Sequence, residues 1–192
     1  MIQLNDELKK LKTDILEMWA LVINQVAYAR ESLENFDKSL IKVIKNNEKK
    51  IDAFELKIDM DCENIFALFN PVANDLRFVL ACLKINYNLE RIGDFAYGIA
   101  KGLNDLNEPF DKDSINKTKL FEIFNITIFM LSEAFKAFDL EDNKLARMIY
   151  KNDDPIDQIN KNLNYTISEL IKNNSEKLPD YLILFTNINT IY

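Results

Sequence analysis

Apolar residues recur near the start of the chain at alternating steps of four and three positions. The regular part of this stripe is Leu4, Leu8, Leu11, Ile15, Met18 and Val22. It continues less regularly through Val26, Ala29, Leu33 and Phe36. A heptad-like stripe of this kind predicts a long amphipathic helix that packs against its neighbours at shallow angles.

Two further helices are predicted in the first half of the chain. The second can be capped by Asp37, and its apolar stripe is Leu40, Ile44, Ile51, Phe54, Ile58, Cys62, Ile65 and Phe69. Asn70-Pro71 then provides a cap followed by a proline at the first position of a third helix. The residues expected to face inward on that third helix are Val72, Leu76, Val79, Leu83 and Tyr87.

The segment 102–114, GLNDLNEPFDKDS, gathers Gly, Pro, Asn and Asp and is predicted to be a linker. A fourth helix is expected after it, with the apolar positions Leu120, Phe124, Ile128, Leu131, Phe135 and Phe138. A fifth helix is expected from near Asp142, and a sixth from near Ser175 or Pro179.

The two halves of the chain resemble each other at an offset of 105 positions, which places Leu145 on Leu40 and Ile156 on Ile51. Any two heptad helices align at some offset, but the match of NEKKID to NDDPID exceeds that expectation. We therefore predict an all-α fold of two tandem three-helix units with six long antiparallel helices. The first unit is expected to cover 1–105 and the second 106–192.

Composition removes several classes of function. The net charge is −7 and no basic stretch is present, so nucleic acid is not an expected partner. The chain has no histidine, which excludes His-dependent triads and His-ligated zinc. Cys62 and Cys82 lack C-x-x-C spacing and suit buried reduced thiols, which favours the cytoplasm. No run of apolar residues is long enough for a membrane span, and the charged N-terminus does not resemble a signal peptide.

Two pairs of carboxylates are spaced four apart on the predicted helices: Glu55 with Asp59, and Glu90 with Asp94. Residues four apart share one helix face, so each pair can present two carboxylates to one ion. The spacing is common by chance in so acidic a chain. The second pair stands out because heptad steps from Leu76 and Leu83 reach Glu90, which turns an inward or boundary stripe acidic.

Carboxylates at such a boundary must be protonated, paired with cations or bound to a metal. One interpretation is ordinary ion pairing with Arg77, Arg91 or Lys57. The other is a metal site, which would contain oxygen ligands alone because His and thiolate clusters are missing. Oxygen ligands favour hard cations such as Mg²⁺, Ca²⁺, Mn²⁺ or ferric iron.

The run from Asn70 to Ala100 contains a proline, an Asp-Leu-Arg and a Leu-Glu-Arg-Ile-Gly-Asp, in that order. This segment resembles the signature helix of the PhoU family of phosphate-uptake regulators. The preceding IDAFELKIDMDC, residues 51–62, is similar to the helix in which that family has a Glu-x-x-x-Asp pair. The two-repeat, six-helix layout also agrees with the fold of the family.

The resemblance implies a metal site made by Glu55, Asp59, Glu90 and Asp94, holding iron or another hard cation. It also implies that Arg77 and Arg91 orient these carboxylates, although intrahelical ion pairing explains both arginines equally well. Two further pairs repeat the spacing with less support: Glu48/Asp52 and Asp153/Asp157.

The second unit departs from the family pattern. Asn160 and Asn164 occupy the positions that match Glu55 and Asp59. Tyr192 falls one residue short of the expected second glutamate, so the last helix is expected to be cut short. The metal site is therefore expected in the first unit only.

The implied function is that of a non-enzymatic regulator of phosphate uptake and phosphate-starvation signalling. Its expected partners are the phosphate ABC transporter ATPase and a membrane sensor histidine kinase, with a homodimer also expected. The expected location is cytoplasmic, with peripheral attachment at the inner face of the membrane. The alternatives are a metal-free helical scaffold or dimerisation protein, and a carboxylate-bridged di-metal protein. The di-metal alternative is weakened by the missing histidines.

Overall fold

The computed structural model describes residues 2–149 and 154–191, and every regular element in these ranges is helical. The prediction of an all-α fold is confirmed. The longer helices are α1 (Ile2–Glu34), α2 (Leu40–Phe69), α3 (Ala73–Gly102), α5 (Leu120–Asp139) and α7 (Asp154–Asn173). The shorter ones are α4 (Lys112–Thr118), α6 (Asn143–Ile149) and α8 (Leu178–Ile191), with single 3₁₀ turns at Leu103–Asp105 and Ser175–Lys177.

Helices α1, α2 and α3 pack against one another along their length and form a three-helix unit. The heptad stripe of α1 faces inward as predicted, with Leu11, Ile15, Met18 and Val22 completely buried. Burying a side chain of this size contributes roughly 1.5–3 kcal/mol, so this stripe is a main source of stability for the unit.

The turns around α2 differ from the prediction in detail. Asp37 does not cap the helix itself; its Oδ1 accepts a hydrogen bond from the Ser39 backbone N–H at 2.8 Å, in the turn before α2. Asn70 ends α2 instead of starting α3, because its left-handed backbone (φ 45°) is the conformation that terminates helices. Helix α3 therefore begins at Ala73, and Val72 is 72% exposed rather than inward.

The inward face of α3 also differs from the prediction. Its buried positions are Val79, Cys82, Asn86, Leu89, Gly93, Ala96, Ile99 and Ala100. Leu76 and Tyr87 were expected inside but are 36% and 57% exposed. A stripe in strict steps of seven drifts by about 20° per heptad around a straight helix, so Leu76 lies outside while Leu83 and Glu90 are half-buried.

The predicted linker is more structured than its composition indicates. Leu103 and Leu106 are buried in the core, and the segment ends inside the short helix α4, which was not predicted. Asp111 caps α4, since its Oδ1 accepts from the Ser114 N–H at 2.8 Å. The segment is thus anchored to the core at both ends.

The second half packs directly onto the first. Helix α5 lies along α1, where Trp19 meets Phe135 and Phe138 at ring-centroid distances of 6.2 and 5.9 Å, and α8 contacts α3. Helix α6 begins at Asn143, close to the predicted start of the fifth helix near Asp142, and α7 follows after residues 150–153, which lie outside the described ranges. The last helix begins at Leu178, within the predicted region.

The internal repeat of the sequence is matched by a repeat in which positions are buried. Ile51, Ile58, Cys62 and Ile65 of α2 are buried, and so are the residues at the same offset in α7, namely Ile156, Leu163, Ile167 and Leu170. The shared offset supports two related units. The boundary between 105 and 106 stays a prediction, because the two halves share one of their buried clusters.

Candidate functional site

Acidic side chains from α2 and α3 face one another along the contact between these antiparallel helices. We call these six residues the carboxylate ladder: Glu48, Asp52, Glu55, Asp59, Glu90 and Asp94. The structure thus places both predicted pairs, Glu55/Asp59 and Glu90/Asp94, in one site. It also adds the less supported pair Glu48/Asp52.

Asn86 fixes one end of the carboxylate ladder. This fully buried residue of α3 donates from Nδ2 to the Asp59 carboxylate at 2.8 Å and to the Glu55 backbone carbonyl at 3.0 Å. The two bonds set the register of α3 against α2 at this level. They also keep Asp59 pointed at the helix contact rather than at solvent.

Glu48 forms the other, buried end of the carboxylate ladder and is only 6% exposed. Its Oε2 accepts a hydrogen bond from Nε2 of Gln25 on α1, and the same amide group donates to the Gly93 carbonyl of α3 at 3.1 Å. Burial raises the pKa of Glu48 to about 8, together with a hydrogen bond and charge repulsion from Asp94. At neutral pH this carboxyl therefore holds a proton in the absence of a cation.

The pKa values of acidic residues in the middle of the carboxylate ladder are raised as well. Burial raises the pKa of Glu55, and the charges of Asp59, Asp52 and Asp94 raise it further. Burial and the charge of Asp94 likewise raise the pKa of Glu90. Acidic groups on both helices thus favour binding a proton or another positive ion.

Basic residues do not neutralise the carboxylate ladder in the described part of the chain. Each ion pair found there involves carboxylates outside the ladder. Lys57, a candidate for such a pair, instead bonds Asp14 of α1 at 2.5 Å. No ion pair in these ranges therefore supports the interpretation that lysines and arginines simply neutralise these acids.

The two arginines expected to orient the carboxylates form no ion pair with them in the described ranges. Arg77 precedes Glu90 by thirteen residues on α3, which is roughly 20 Å along a helix, so it is too distant to orient Glu90 or Asp94. The Arg91 guanidinium lies over the rings of Tyr87 and Phe95, 5.6 and 5.4 Å from their centroids. These contacts place the guanidinium against aromatic faces on the exposed side of α3.

The donor set of the ladder fits a hard cation in its chemistry, because all its side-chain donors are carboxylate oxygens. Cys62 is close in sequence but unsuitable, since burial raises the pKa of its thiol to about 12 and keeps it protonated. Among the described residues, no three acidic or sulfur side chains converge on one point as a closed metal site requires. The arrangement therefore offers carboxylates in pairs, which suits an ion that keeps part of its water shell.

The second unit has fewer acidic side chains at the equivalent positions. Asn160 is half-buried and Asn164 exposed on α7, and both are amides where the first unit has Glu55 and Asp59. Asp157 is half-buried on the same helix, while Asp153 lies outside the described residues.

Sequence reasoning missed two residues of the site, Gln25 and Asn86, and gave Glu48 only as part of a less supported pair. Each one interrupts the apolar seam of its own helix, at a position where a hydrophobic residue is expected. The signal was therefore present, because a polar residue in a buried seam needs a partner on a neighbouring helix. Pattern alone did not show that the three would belong to one site.

Comparison with known proteins places these features in a family. The sequence profile of the PhoU domain matches residues 15–103 and 120–191. The chain is 34% identical over 166 residues to the phosphate-specific transport system accessory protein PhoU homolog 1 of Thermotoga maritima, covering 86% of this chain and 71% of that protein. It is 34% identical over 193 residues to the PhoU homolog of Borreliella burgdorferi, covering 96% and 85%.

Solved structures agree with the sequence matches. PhoU of Pseudomonas aeruginosa superposes with a TM-score of 0.88 at 25% identity, over 97% of this chain and 89% of that one. The phosphate transport system regulatory protein PhoU of Streptococcus pneumoniae superposes with a TM-score of 0.81 at 27% identity, over 98% and 91%. In the described part of this chain, no helix is both long and apolar enough to cross a membrane.

Proposed function

Since the chain belongs to the PhoU family, we propose that it is a non-enzymatic regulator of phosphate uptake and phosphate-starvation signalling that acts as a metal-binding helical adaptor. A regulatory accessory role in phosphate transport is the function of the family as a whole. The metal and the adaptor partners are specific to our proposal.

The observation that carries the metal part is the unneutralised charge of the carboxylate ladder. Six acidic residues share one interhelical contact, and none of the ion pairs in the described ranges involves them. Glu55, Asp59, Glu90 and Asp94 would hold iron or another hard cation. When bound, such an ion supplies the positive charge that the protein itself does not place between α2 and α3.

The proposed partners are the ATPase of a phosphate ABC transporter and a membrane sensor histidine kinase, reached from the cytoplasm at the inner face of the membrane. A homodimer is proposed as well. The outer faces of α2 and α3 carry exposed apolar side chains, including Leu56, Met60 and Tyr87. Exposed apolar residues beside charged ones are typical of surfaces that bind other proteins.

Elemental analysis of the protein purified without chelator tests the metal part. We expect a bound transition metal in the parent, and much less in the double variant Glu90→Gln/Asp94→Asn with helicity unchanged. The matched control is Glu63→Gln/Glu17→Gln, which removes two exposed acidic charges outside the ladder and is expected to keep the metal.

Two outcomes would favour the alternatives. A parent protein without metal, whose melting temperature does not respond to added Mn²⁺ or iron, would indicate a plain helical scaffold. Measurable iron oxidation turnover would indicate a di-metal oxidase. For the adaptor part, we expect the co-expressed transporter ATPase to co-purify with the parent, and a failure to co-purify would count against that partner.

A further inference from the structure

The buried end of the carboxylate ladder contains groups from all three helices of the first unit. Gln25 of α1 is completely buried, Glu48 of α2 is nearly so, and the Gly93 carbonyl belongs to α3. The Gln25 amide connects the other two, since Nε2 donates to both Glu48 Oε2 and the Gly93 carbonyl. Helix α1 thus reaches a site whose acidic residues lie on α2 and α3.

The orientation of the Gln25 amide follows from its neighbours. The Gly93 carbonyl can only accept, so the NH₂ group must face it, and a flipped amide would place the Gln25 oxygen against this carbonyl. With the amide in this orientation, Oε1 of Gln25 and Oε1 of Glu48 are buried and accept no hydrogen bond from the protein. Gln25 and Glu48, which share one hydrogen bond, therefore each have a buried oxygen without a donor.

The neighbour of Glu48 on α3 does not supply the missing donor. The carboxyl groups of Glu48 and Asp94 lie within hydrogen-bonding reach of each other, and both are acceptors when ionised. Two carboxylates in contact need a shared proton or a cation between them. The buried Oε1 of Glu48, which has no hydrogen-bond partner and belongs to a carboxyl group next to that of Asp94, is therefore available as a ligand.

The backbone around Gly93 leaves room for this arrangement. A Cβ on that residue would lie 3.1 Å from Ile51 Cδ1 and 3.5 Å from Glu48 Oε2. Helices α2 and α3 thus approach closely beside Glu48, and its carboxylate lies directly next to the backbone of position 93.

We propose that Gln25 is a positioning residue that holds Glu48 as a further cation ligand beside Asp94, so that cation binding at the carboxylate ladder is linked to α1. This inference rests on the proposed metal function. It extends the site from two helices to three and gives α1 a way to respond to cation binding.

The test compares Gln25→Met with Asn24→Ala, a control at the exposed neighbouring position of α1. Methionine keeps the length of the side chain but removes the N–H donor. Cation affinity is measured by calorimetric titration with Mn²⁺ in one series and Fe²⁺ under argon in another. We expect Gln25→Met to weaken binding about 10–100-fold, the range found when a residue that orients a ligand is removed. Asn24→Ala is expected to bind as the parent does.

Hydrogen exchange gives a readout that a merely structural role would not change. Adding Mn²⁺ to the parent is expected to slow exchange in α1 around Gln25 as well as in α2 and α3. In Gln25→Met the slowing in α1 is expected to disappear while that around Glu55 and Asp59 remains. Slowing in α1 that survives the substitution would overturn the link to α1.

The two hypotheses fail differently. A parent that binds neither ion overturns both the metal function and this inference. A parent that binds, together with a Gln25→Met variant that binds equally well, overturns this inference alone. Should Gln25→Met not fold, Glu48→Gln decides, because it keeps the size of the side chain and removes the charge. At least tenfold weaker binding supports Glu48 as a ligand, and unchanged binding contradicts it.

Discussion

Gly93 of α3 lies directly against Ile51 of α2, since a Cβ on the glycine would come within 3.1 Å of Ile51 Cδ1. Ile51 is completely buried, so it has little freedom to move away. Glycine in the middle of a helix costs roughly 1 kcal/mol relative to alanine. The structure gives this glycine a specific use, which is the close approach of α3 to α2 beside Glu48.

Replacing Gly93 with alanine is expected to destabilise the protein by about 1 kcal/mol. Crowding in a packed core costs roughly 1–3 kcal/mol, which exceeds the gain in helix propensity. Gly98 is the matched control, because it lies on the same helix with nothing within 4 Å of an added Cβ. Gly98→Ala is expected to stabilise the protein by up to about 1 kcal/mol. Urea denaturation of both variants measures the difference, and equal effects would contradict the close packing at Gly93.

Asn86→Leu is expected to cost about 1–3 kcal/mol in the free energy of unfolding. The substitution removes the amide that donates to Asp59 and to the Glu55 carbonyl, and leaves both acceptors without this donor at a half-buried contact. Asn88→Leu is the control, because that exposed amide donates only to the Lys84 carbonyl of its own helix at 2.9 Å. Thermal denaturation compares the two, and a similar small loss for both would show that Asn86 does not connect α2 with α3.

The hydrophobic pattern predicted the fold well because the apolar stripes of α1 and α2 are long and nearly regular. It failed on α3, where Leu76 and Tyr87 were placed inside although both are exposed. The reason is geometric: steps of seven drift around a helix of 3.6 residues per turn, so a stripe inferred from a few leucines rotates away from the true seam. Only the tertiary contact with α2 shows that Asn86 and Gly93 lie on that seam.

The site was partly predictable for a related reason. Spacing together with the family resemblance pointed to Glu55, Asp59, Glu90 and Asp94, and all four lie in the carboxylate ladder. The family resemblance also assigned Arg77 to the site, yet Arg77 lies thirteen residues before Glu90 on α3. The hydrogen bond of Gln25 to Glu48 joins two helices at positions that are far apart in the sequence. Periodicity within one helix does not describe such a contact.

Both cysteines are expected to resist modification in the folded protein. Cys62 and Cys82 are completely buried, and burial raises the pKa of each thiol to about 12. Since the thiolate is the reactive form, an aromatic disulfide reagent at pH 8 should react only through opening of the fold. In denaturing urea, both thiols should react at once as the control. Rapid reaction of either thiol without urea would contradict the packing of α2 against α3.

The carboxylate ladder also predicts how stability depends on pH when cations are removed by a chelator. The pKa of Glu48 is raised from its ordinary value of 4.5 to about 8 by burial and by Asp94, with Asp52 adding to the effect. The pKa values of Glu55 and Glu90 are raised as well. Between pH 4.5 and 8 the folded protein therefore holds a proton on Glu48 that the unfolded chain has already released.

The free energy of unfolding should consequently fall as the pH rises through this window. The contribution of Glu48 is fully present below pH 4.5 and is lost by about pH 8, with a limiting slope of about 1.4 kcal/mol per pH unit for one group. Urea denaturation at several pH values in chelator measures the profile. Glu48→Gln cannot ionise and still accepts from Gln25, so its profile should be flatter by most of that slope. Parallel profiles for parent and variant would show that Glu48 is ionised in the folded protein, contrary to its burial against Asp94.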